Sequence, residues 1–534
     1  MLNGKAILFC FFVAFGGFLF GYDIGVISGC LIMPDFIDRF GEFDQAENQM
    51  VLTASRQSII TSLLSAGTFV GALGQAFTSD LKHGRKGSIF IWSTIFTIGV
   101  AIQTATDRSI AQITIGRFIA GLGVGALSAI VPLYIGESAP KKIRGSLLAL
   151  YQLQIIFGLM MSQVFDLATH AVKGSASWRV PVGLQMVWGL ILIFGILLLP
   201  ESPRHLLGLG RETDARRAIA GLNSVKESDP VVDEVVAELS VAIREENEGG
   251  KATWAECFST RNMLWKRTGN GMMLQFIQQL NGQNFYYYYG DTFFQSAGTE
   301  LSPYVIQVIL GAVSVCGTIP ALYFIEKLGR RKSLLIGAVW EAVCALIAGL
   351  VGHFLSATPA QLKAGVPLTA QNRAAGDTLI AFAVLHVFGF NMFWGPTPWV
   401  YLGESFPLRV RAKGIALGSA TNWIWNFLLG FFAPRIAADI GPLILLIFFG
   451  MLVFGFVFVW LCVPEVKGLS LEEIDELYRS GVKPWHSANW KPTGGRYAHR
   501  GEILEHEKGA THVGGAAEGS EGSVREEPEK KDSV

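Results

Sequence analysis

The sequence predicts an all-α integral membrane protein, with about twelve membrane-spanning helices arranged as two pseudo-symmetric bundles of six. Three observations predict it. Apolar stretches long enough to cross a bilayer, on the order of 20 residues each, recur along most of the chain. Basic residues gather in alternate connections between those stretches. Motifs of the first half return, in the same order, in the second.

The composition agrees. Of the 534 residues 51% are hydrophobic and only 16% charged, and the mean hydropathy is +0.40. Lys plus Arg and Asp plus Glu balance at 43 each, so the charge points to no nucleic-acid partner. The six cysteines form no C-x-x-C pair and most lie in apolar runs. That argues against a disulfide framework or a zinc site. No nucleotide-binding glycine loop, metal-ligand cluster or nucleophile–base constellation stands out, so neither an enzyme nor a cofactor is expected.

The expected spans lie near 7–29, 57–79, 88–106, 110–135, 145–168 and 182–199, then near 268–295, 303–325, 333–355, 377–402, 413–434 and 441–462. The first apolar run is too long for a signal-peptide core and no cleavage site follows it, so it reads as the first span. Lys82, Arg85 and Lys86 follow the second span, and Lys141, Lys142 and Arg144 the fourth. Lys327, Arg330, Arg331 and Lys332 follow the eighth, and Arg409, Arg411 and Lys413 the tenth. By the positive-inside rule these connections, both termini and the central segment face the cytoplasm. The acidic connection after the first span (Asp35, Asp38, Glu42, Asp44, Glu47) falls outside.

This divides the chain into a first bundle at 1–200, a cytoplasmic helical linker at 201–266, a second bundle at 267–463 and a cytoplasmic tail at 464–534. In the linker, Val232, Val235, Val236, Leu239 and Ile243 recur at helical spacing and predict an amphipathic helix. From about Ser487 the tail is rich in Gly, Glu, Lys and His and is expected to be disordered.

The repeats carry charge. Gly84-Arg85-Lys86 returns as Gly329-Arg330-Arg331-Lys332, Gly136-Glu137-Ser138-Ala139-Pro140 as Gly403-Glu404-Ser405-Phe406-Pro407, and Pro200-Glu201 as Pro464-Glu465. Acids and arginines at the same helix ends can pair across helices in one conformation and part in another. Asp80, Arg85, Glu137 and Arg144 form such a gating set in the first half, and Glu326, Arg330, Glu404 and Arg411 in the second. Plain topology explains the basic residues but does not require carboxylates beside them.

One stretch breaks the apolar pattern. Gln275, Gln278, Gln279, Asn281, Gln283 and Asn284 crowd into the seventh span. Polar side chains at membrane depth are costly and rarely face lipid. Amides donate and accept, which suits either a ligand made of hydroxyls or bonding between helices. In a regular helix Gln275, Gln278 and Gln279 share a face and Asn284 lies opposite. Asn281-Gly282 offers a place for the helix to kink.

The chain resembles the sugar-porter family of the major facilitator superfamily, with the look of a fungal hexose transporter. The stretches that carry the resemblance are GYDIGVISG (21–29), GRFIAGLGVG (116–125), PLYIGESAPKKIRG (132–145), PESPRHL (200–206), QQLNGQN (278–284), EKLGRRK (326–332), GPTPWVYLGESFP (395–407) and PEVKGLSLEEID (464–475). The resemblance implies alternating access at the plasma membrane, with a central monosaccharide site opening to one face and then the other, in a carrier that works as a monomer. It places sugar contacts at Gln152, Gln278, Gln279, Asn284, Tyr287, Tyr288, Asn422, Trp423, Trp399 and Phe20. Ser314 stands where many relatives carry an amide, and Asn391 where some carry Glu.

Asp23 lies in an apolar setting in the first span, and the resemblance pairs it with Arg117 on the fourth. An intramembrane carboxylate is a functional site by default. Either a proton on Asp23 releases Arg117 and couples sugar movement to proton movement, or the pair is structural and the carrier is a facilitative uniporter. A third reading is a sugar sensor that moves no substrate.

Overall fold

The computed structural model describes residues 4–491, apart from 46–47, 80–82, 140–143, 249–252, 298, 357–360, 362–366, 368 and 470. Asp80 and the tail beyond 491 therefore lie outside the described residues. So does the side chain of Arg144.

The first half holds α1 (Gly4–Cys30), α2 (Pro34–Phe40), α3 (Ala54–Ser79), α4 (Gly84–Thr104), α5 (Ile110–Ser138), α6 (Arg144–Thr169) and α7 (Ala176–Leu197). Residue choice explains several boundaries. Pro34 sits in the first turn of α2, where no partner for its nitrogen is needed. Ser109 caps α5 by accepting from Gln112 N at 3.2 Å. The acidic connection is not a plain loop. It folds as α2 plus a hairpin of β1 (Glu42–Asp44) and β2 (Gln49–Val51). Trp178 pins it down: its ring meets Phe36 and Phe40 edge-on at 5.6 Å each, and its Nε1 donates to Asp35 Oδ2 at 2.9 Å. That packing also explains why α7 begins at Ala176, six residues before the expected span.

The linker carries α8 (Pro203–Gly208), α9 (Glu212–Asn223) and α10 (Pro230–Glu248). The expected amphipathic helix is α10, whose Val232 and Val236 bury against Ile219 and Ala220 of α9.

The second half holds α11 (Leu264–Gln279), α12 (Gln283–Ser296), α13 (Pro303–Leu328), α14 (Arg330–Phe354), α15 (Ala370–Met392), α16 (Thr397–Glu404), α17 (Leu408–Ile440) and α18 (Ile444–Cys462). Two expected spans are broken. The seventh breaks between α11 and α12 at Gly282, whose φ of 103° suits glycine. The tenth, read from sequence as one helix over 377–402, breaks between α15 and α16. There Gly395-Pro396-Thr397-Pro398 removes two backbone donors within three residues. Among the described residues nine stretches are long and apolar enough to span a membrane, and one of them, Lys413–Cys462, runs 50 residues across α17 and α18.

The halves pack by one scheme. In the first, α1 lies on α6, α3 on α5, and α4 on both α5 and α7. In the second, α11 lies on α17, α13 on α15, and α14 on both α15 and α18. The halves meet through α3 with α17, α6 with α13, and α1 with α12.

A short helix, α19 (Leu471–Arg479), sits below α11. Its Asp475 accepts from the buried Arg267 at 2.5 Å, while Thr268 Oγ1 donates to the Cys257 carbonyl at 2.7 Å and Asn270 Nδ2 to that of Cys462 at 2.9 Å. Ser487, where disorder is expected to begin, is buried, and its Oγ accepts from Glu465 N at 2.8 Å.

The charge set of the second half rests on a glycine. Gly329 adopts φ 91° and ψ 168°, a region essentially reserved for glycine, and a Cβ there would lie 2.4 Å from Glu465 Oε2. Gly329→Ala is expected to cost about 1–3 kcal/mol of stability, read as a lowered melting temperature of the detergent-purified protein.

Candidate functional site

The amides form a connected network around the break in the seventh helix. Asn422 of α17 donates to Gln275 Oε1 at 2.7 Å and to Gln278 Oε1 at 2.8 Å. Gln278 Nε2 in turn donates to the Trp394 and Gly395 carbonyls at 2.9 and 2.6 Å, acceptors that the break before α16 leaves open. Gln279 Oε1 accepts from Asn426 at 3.0 Å and also from Asn284. A straight helix would hold Asn284 on the far side, so the turn at Gly282 is what brings it round.

Asn426 is a residue of this network that sequence reasoning missed. Its Oδ1 accepts from Tyr288 OH at 3.1 Å and from Ser65 Oγ of the first half at 2.6 Å. Its place one helical turn beyond Asn422 was the available signal. Tyr287 OH meets Ser314 Oγ at 3.1 Å and accepts from Asn391 Nδ2 at 3.1 Å, so the two departures from the family pattern converge on one tyrosine. Phe20 of α1 meets Trp423 of α17 edge-on at 5.5 Å across the halves.

Two expected contacts stand apart. Gln152 is half-buried on α6, and among the described residues no hydrogen bond joins it to the network. Trp399 is 37% exposed, against 6% for Trp423. Asn281 belongs elsewhere and faces Glu341 of α14, with Nδ2 donating to Oε2 at 3.0 Å. A cleft of about 360 Å³ lies not among the amides but between α8, α9 and the start of α4, lined by His83, Glu201, His205 and Arg211.

Asp23 and Arg117 do meet. Arg117 Nη1 donates to Asp23 Oδ1 at 3.1 Å, with the two residues 0% and 1% exposed. Arg117 Nε reaches the Ile60 carbonyl at 3.4 Å. Asp23 Oδ2 and Arg117 Nη2 find no hydrogen-bond partner among the described residues.

The charge repeats build the same assembly twice. Arg85 grips Glu137 with Nε and Nη2, both at 3.1 Å. Arg330 grips Glu404 with Nε at 2.8 Å and Nη2 at 2.6 Å, and also holds Glu326. Bidentate guanidinium–carboxylate bonds of this kind are among the stronger polar contacts. Arg411 lies near enough for its charge to act on Glu404 but is not its bidentate partner. The sequence showed Glu201 and Glu465 as a repeat without showing their task. Glu201 accepts from the Arg85 and Lys86 backbone nitrogens at the start of α4, and Glu465 from those of Arg330 and Arg331 at the start of α14. Carboxylates suit helix N-termini. Burial pushes the Glu201 carboxyl above its ordinary value, against the pull of the backbone donors and Arg85.

Among the described residues, none of the hydrogen bonds that cross between the halves lies at this basic end. Among the described residues they are Ser65 to Asn426 at mid-depth and, at the opposite end, Gln163 to Gln307 at 3.1 Å, Asp291 N to Ser28 at 3.5 Å, Tyr304 OH to the Gly29 carbonyl at 3.5 Å and Arg435 to Ser55 at 3.1 Å.

Two halves packed by one scheme around a shared polar centre define a carrier of the major facilitator fold. The Sugar (and other) transporter family model matches residues 9–478, and the chain belongs to that family. It is 39% identical to hexose transporter 2 of Kluyveromyces lactis over 94% of this chain and 88% of that one. It is 38% identical to the galactose transporter of Saccharomyces cerevisiae, over 92% and 84%. Among solved structures, the inward-open xylose transporter XylE of E. coli superposes with a TM-score of 0.70, at 25% identity and over 88% and 99% of the two chains. The chain is thus a multi-pass sugar transporter of the membrane and not an enzyme.

Asn426→Ala removes an acceptor used by two hydroxyls and a donor to Gln279. It is expected to destabilise the purified protein by about 1–3 kcal/mol, the cost of leaving buried polar groups unmatched, while Tyr288→Phe, which removes one bond, costs about 1 kcal/mol. Thermal unfolding of the two variants beside wild type checks the order.

Proposed function

We propose that this chain carries hexose, glucose first among them, across the plasma membrane by alternating access, as a sugar:proton symporter. The residues proposed to hold the sugar are Gln278, Gln279, Asn284, Asn422, Tyr287, Tyr288, Asn391, Trp423 and Phe20, with Gln152 and Trp399 joining from the two sides. The hexose and galactose names of its relatives and the density of amide and hydroxyl groups support that substrate class. Asn426 belongs with this set on geometry.

The observation that carries proton coupling is the Asp23–Arg117 pair, fully buried and held by a single hydrogen bond. A proton on Asp23 cancels the attraction and leaves Arg117 to other acceptors, which alters the packing of α1 against α5. Breaking such a pair by removing only one charge is costly, so the change is felt beyond the pair.

The crossing bonds at the end opposite the basic loops support a state closed on that side. With the basic loops and both termini placed in the cytoplasm, it is a state closed to the outside. The Arg85–Glu137 and Arg330–Glu404 pairs are proposed to brace the cytoplasmic ends within 1–200 and 267–463, which move as two bodies joined by the linker. Since one chain supplies both sides of the polar centre, the monomer is the proposed working unit.

Expression in a yeast strain that lacks hexose transporters is expected to restore radiolabelled glucose uptake. Absence of uptake with the protein at the cell surface would favour a sensor. In proteoliposomes, glucose entry is expected to carry protons with it, read by an internal pH dye. Asp23→Asn is expected to abolish that signal. Wild-type glucose entry with no proton signal would leave the uniporter.

A further inference from the structure

The second half buries a pair of titratable side chains that the proposed sugar and proton sites do not use. Glu341 on α14 is 0% exposed and His386 on α15 is 1% exposed, with His386 Nε2 4.0 Å from Glu341 Oε2. Glu341 Oε1 and both ring nitrogens of His386 have no hydrogen-bond partner among the described residues, so the two side chains approach without bonding. Around them, Cys344 stands one turn along α14, close enough to feel the Glu341 charge, and the Tyr286 ring of α12 lies 5.5 Å from the imidazole. The α18 side is apolar, with Leu452 against Ala342 and Ala345. From α13, α16 and α18, the other neighbours of α14, no charged side chain acts on Glu341 among the described residues.

Asn281 connects this pair to the break in the seventh helix. Its Nδ2 donates to Glu341 Oε2 at 3.0 Å, and its Oδ1 accepts from Gln283 N at 3.0 Å. The second bond satisfies a backbone donor at the start of α12 and so fixes where that helix begins. The next residue is Asn284, which reaches Gln279 in the amide network.

We propose that Glu341 and His386 form a second proton-binding site, separate from Asp23, whose proton sets the geometry of the α11–α12 break and makes sugar affinity depend on pH. The proposal rests on the sugar-transport reading above. An ionised carboxylate in this position has only an amide donor to offset its burial, which is costly. A proton taken up by the carboxylate removes the isolated charge. An ionised carboxylate also accepts a hydrogen bond more strongly than a protonated one. The protonation state therefore changes the hold on Asn281, and through Asn281 the start of α12. Glu341, His386 and Asn281 act as positioning residues, since none of them touches the amides that face the sugar.

Linkage gives the test, because a proton that alters sugar affinity must itself be taken up or released when sugar binds. Full-length Asp23→Asn protein, purified in weakly buffered detergent solution, receives glucose while the pH is recorded. Exchange on binding, which carries no proton across a membrane and so differs from the transport signal that Asp23→Asn abolishes, is expected to persist in this variant and to vanish in Asp23→Asn/Glu341→Gln, where the substituted amide still offers Asn281 an acceptor. Glucose affinity of Asp23→Asn is expected to change by about fivefold or more, the lower end of ordinary coupling between sites, across the pH range in which the purified protein stays folded. The double variant is expected to stay flat over that range. His386→Gln in the Asp23→Asn background is a second route to the same answer should Glu341→Gln not fold, and it is expected to move or remove the pH step. Glucose binding to Asp23→Asn with no proton exchange overturns this proposal alone, as does exchange left unchanged by both second substitutions. Wild-type protein that binds no hexose overturns the sugar reading and this proposal together.

Discussion

An amide placed where neither water nor lipid can satisfy it must find a partner in the protein, and this constraint organises the molecule's centre. Gln275, Gln278, Gln279, Asn284, Asn422 and Asn426 bond to one another or to carbonyls exposed by a helix break. Breaking two helices is what makes enough partners available. In the function proposed, a sugar entering this network replaces bonds already made, so the net gain per bond is modest. Selectivity then depends on geometry, because a hydroxyl pattern that leaves one amide unmatched loses more than a matching pattern gains.

The same economy appears at the basic end. Two copies of one arrangement, Arg85 with Glu137 and Glu201, and Arg330 with Glu404 and Glu465, tie helix ends within each half. Both are built on a glycine with positive φ, Gly84 or Gly329, against which the Pro-Glu carboxylate rests. Each half can be stiff by itself because, among the described residues, its ion pairs do not cross to the other.

Much of this was legible in the sequence because it leaves a linear trace. Apolar length gives spans, charge gives the basic loops, and repetition gives the pairing of α4 with α14. The kink at Asn281-Gly282 was legible from glycine beside amides. The break at Gly395–Pro398 was passed over because the flanking residues are apolar enough to read as one span. Asn426, Ser65 and Glu341 were missed for another reason. Each acquires its meaning from a partner remote in the chain, and hydropathy treats a single polar residue in a long apolar helix as noise. The hairpin before α3 escaped because Trp178, which anchors that region from α7, lies over a hundred residues away.

A seventh helix made of two pieces behaves as a crank and not as a rod. Its lower piece is bolted to the base of its own half through Arg267, Thr268 and Asn270. Its upper piece leans on α1 of the opposite half through Asp291 and Ser28. Tilt in one piece need not drag the other, so in the cycle proposed here the mouth on one side can shut before the mouth on the other begins to part, and the passage is never open from end to end.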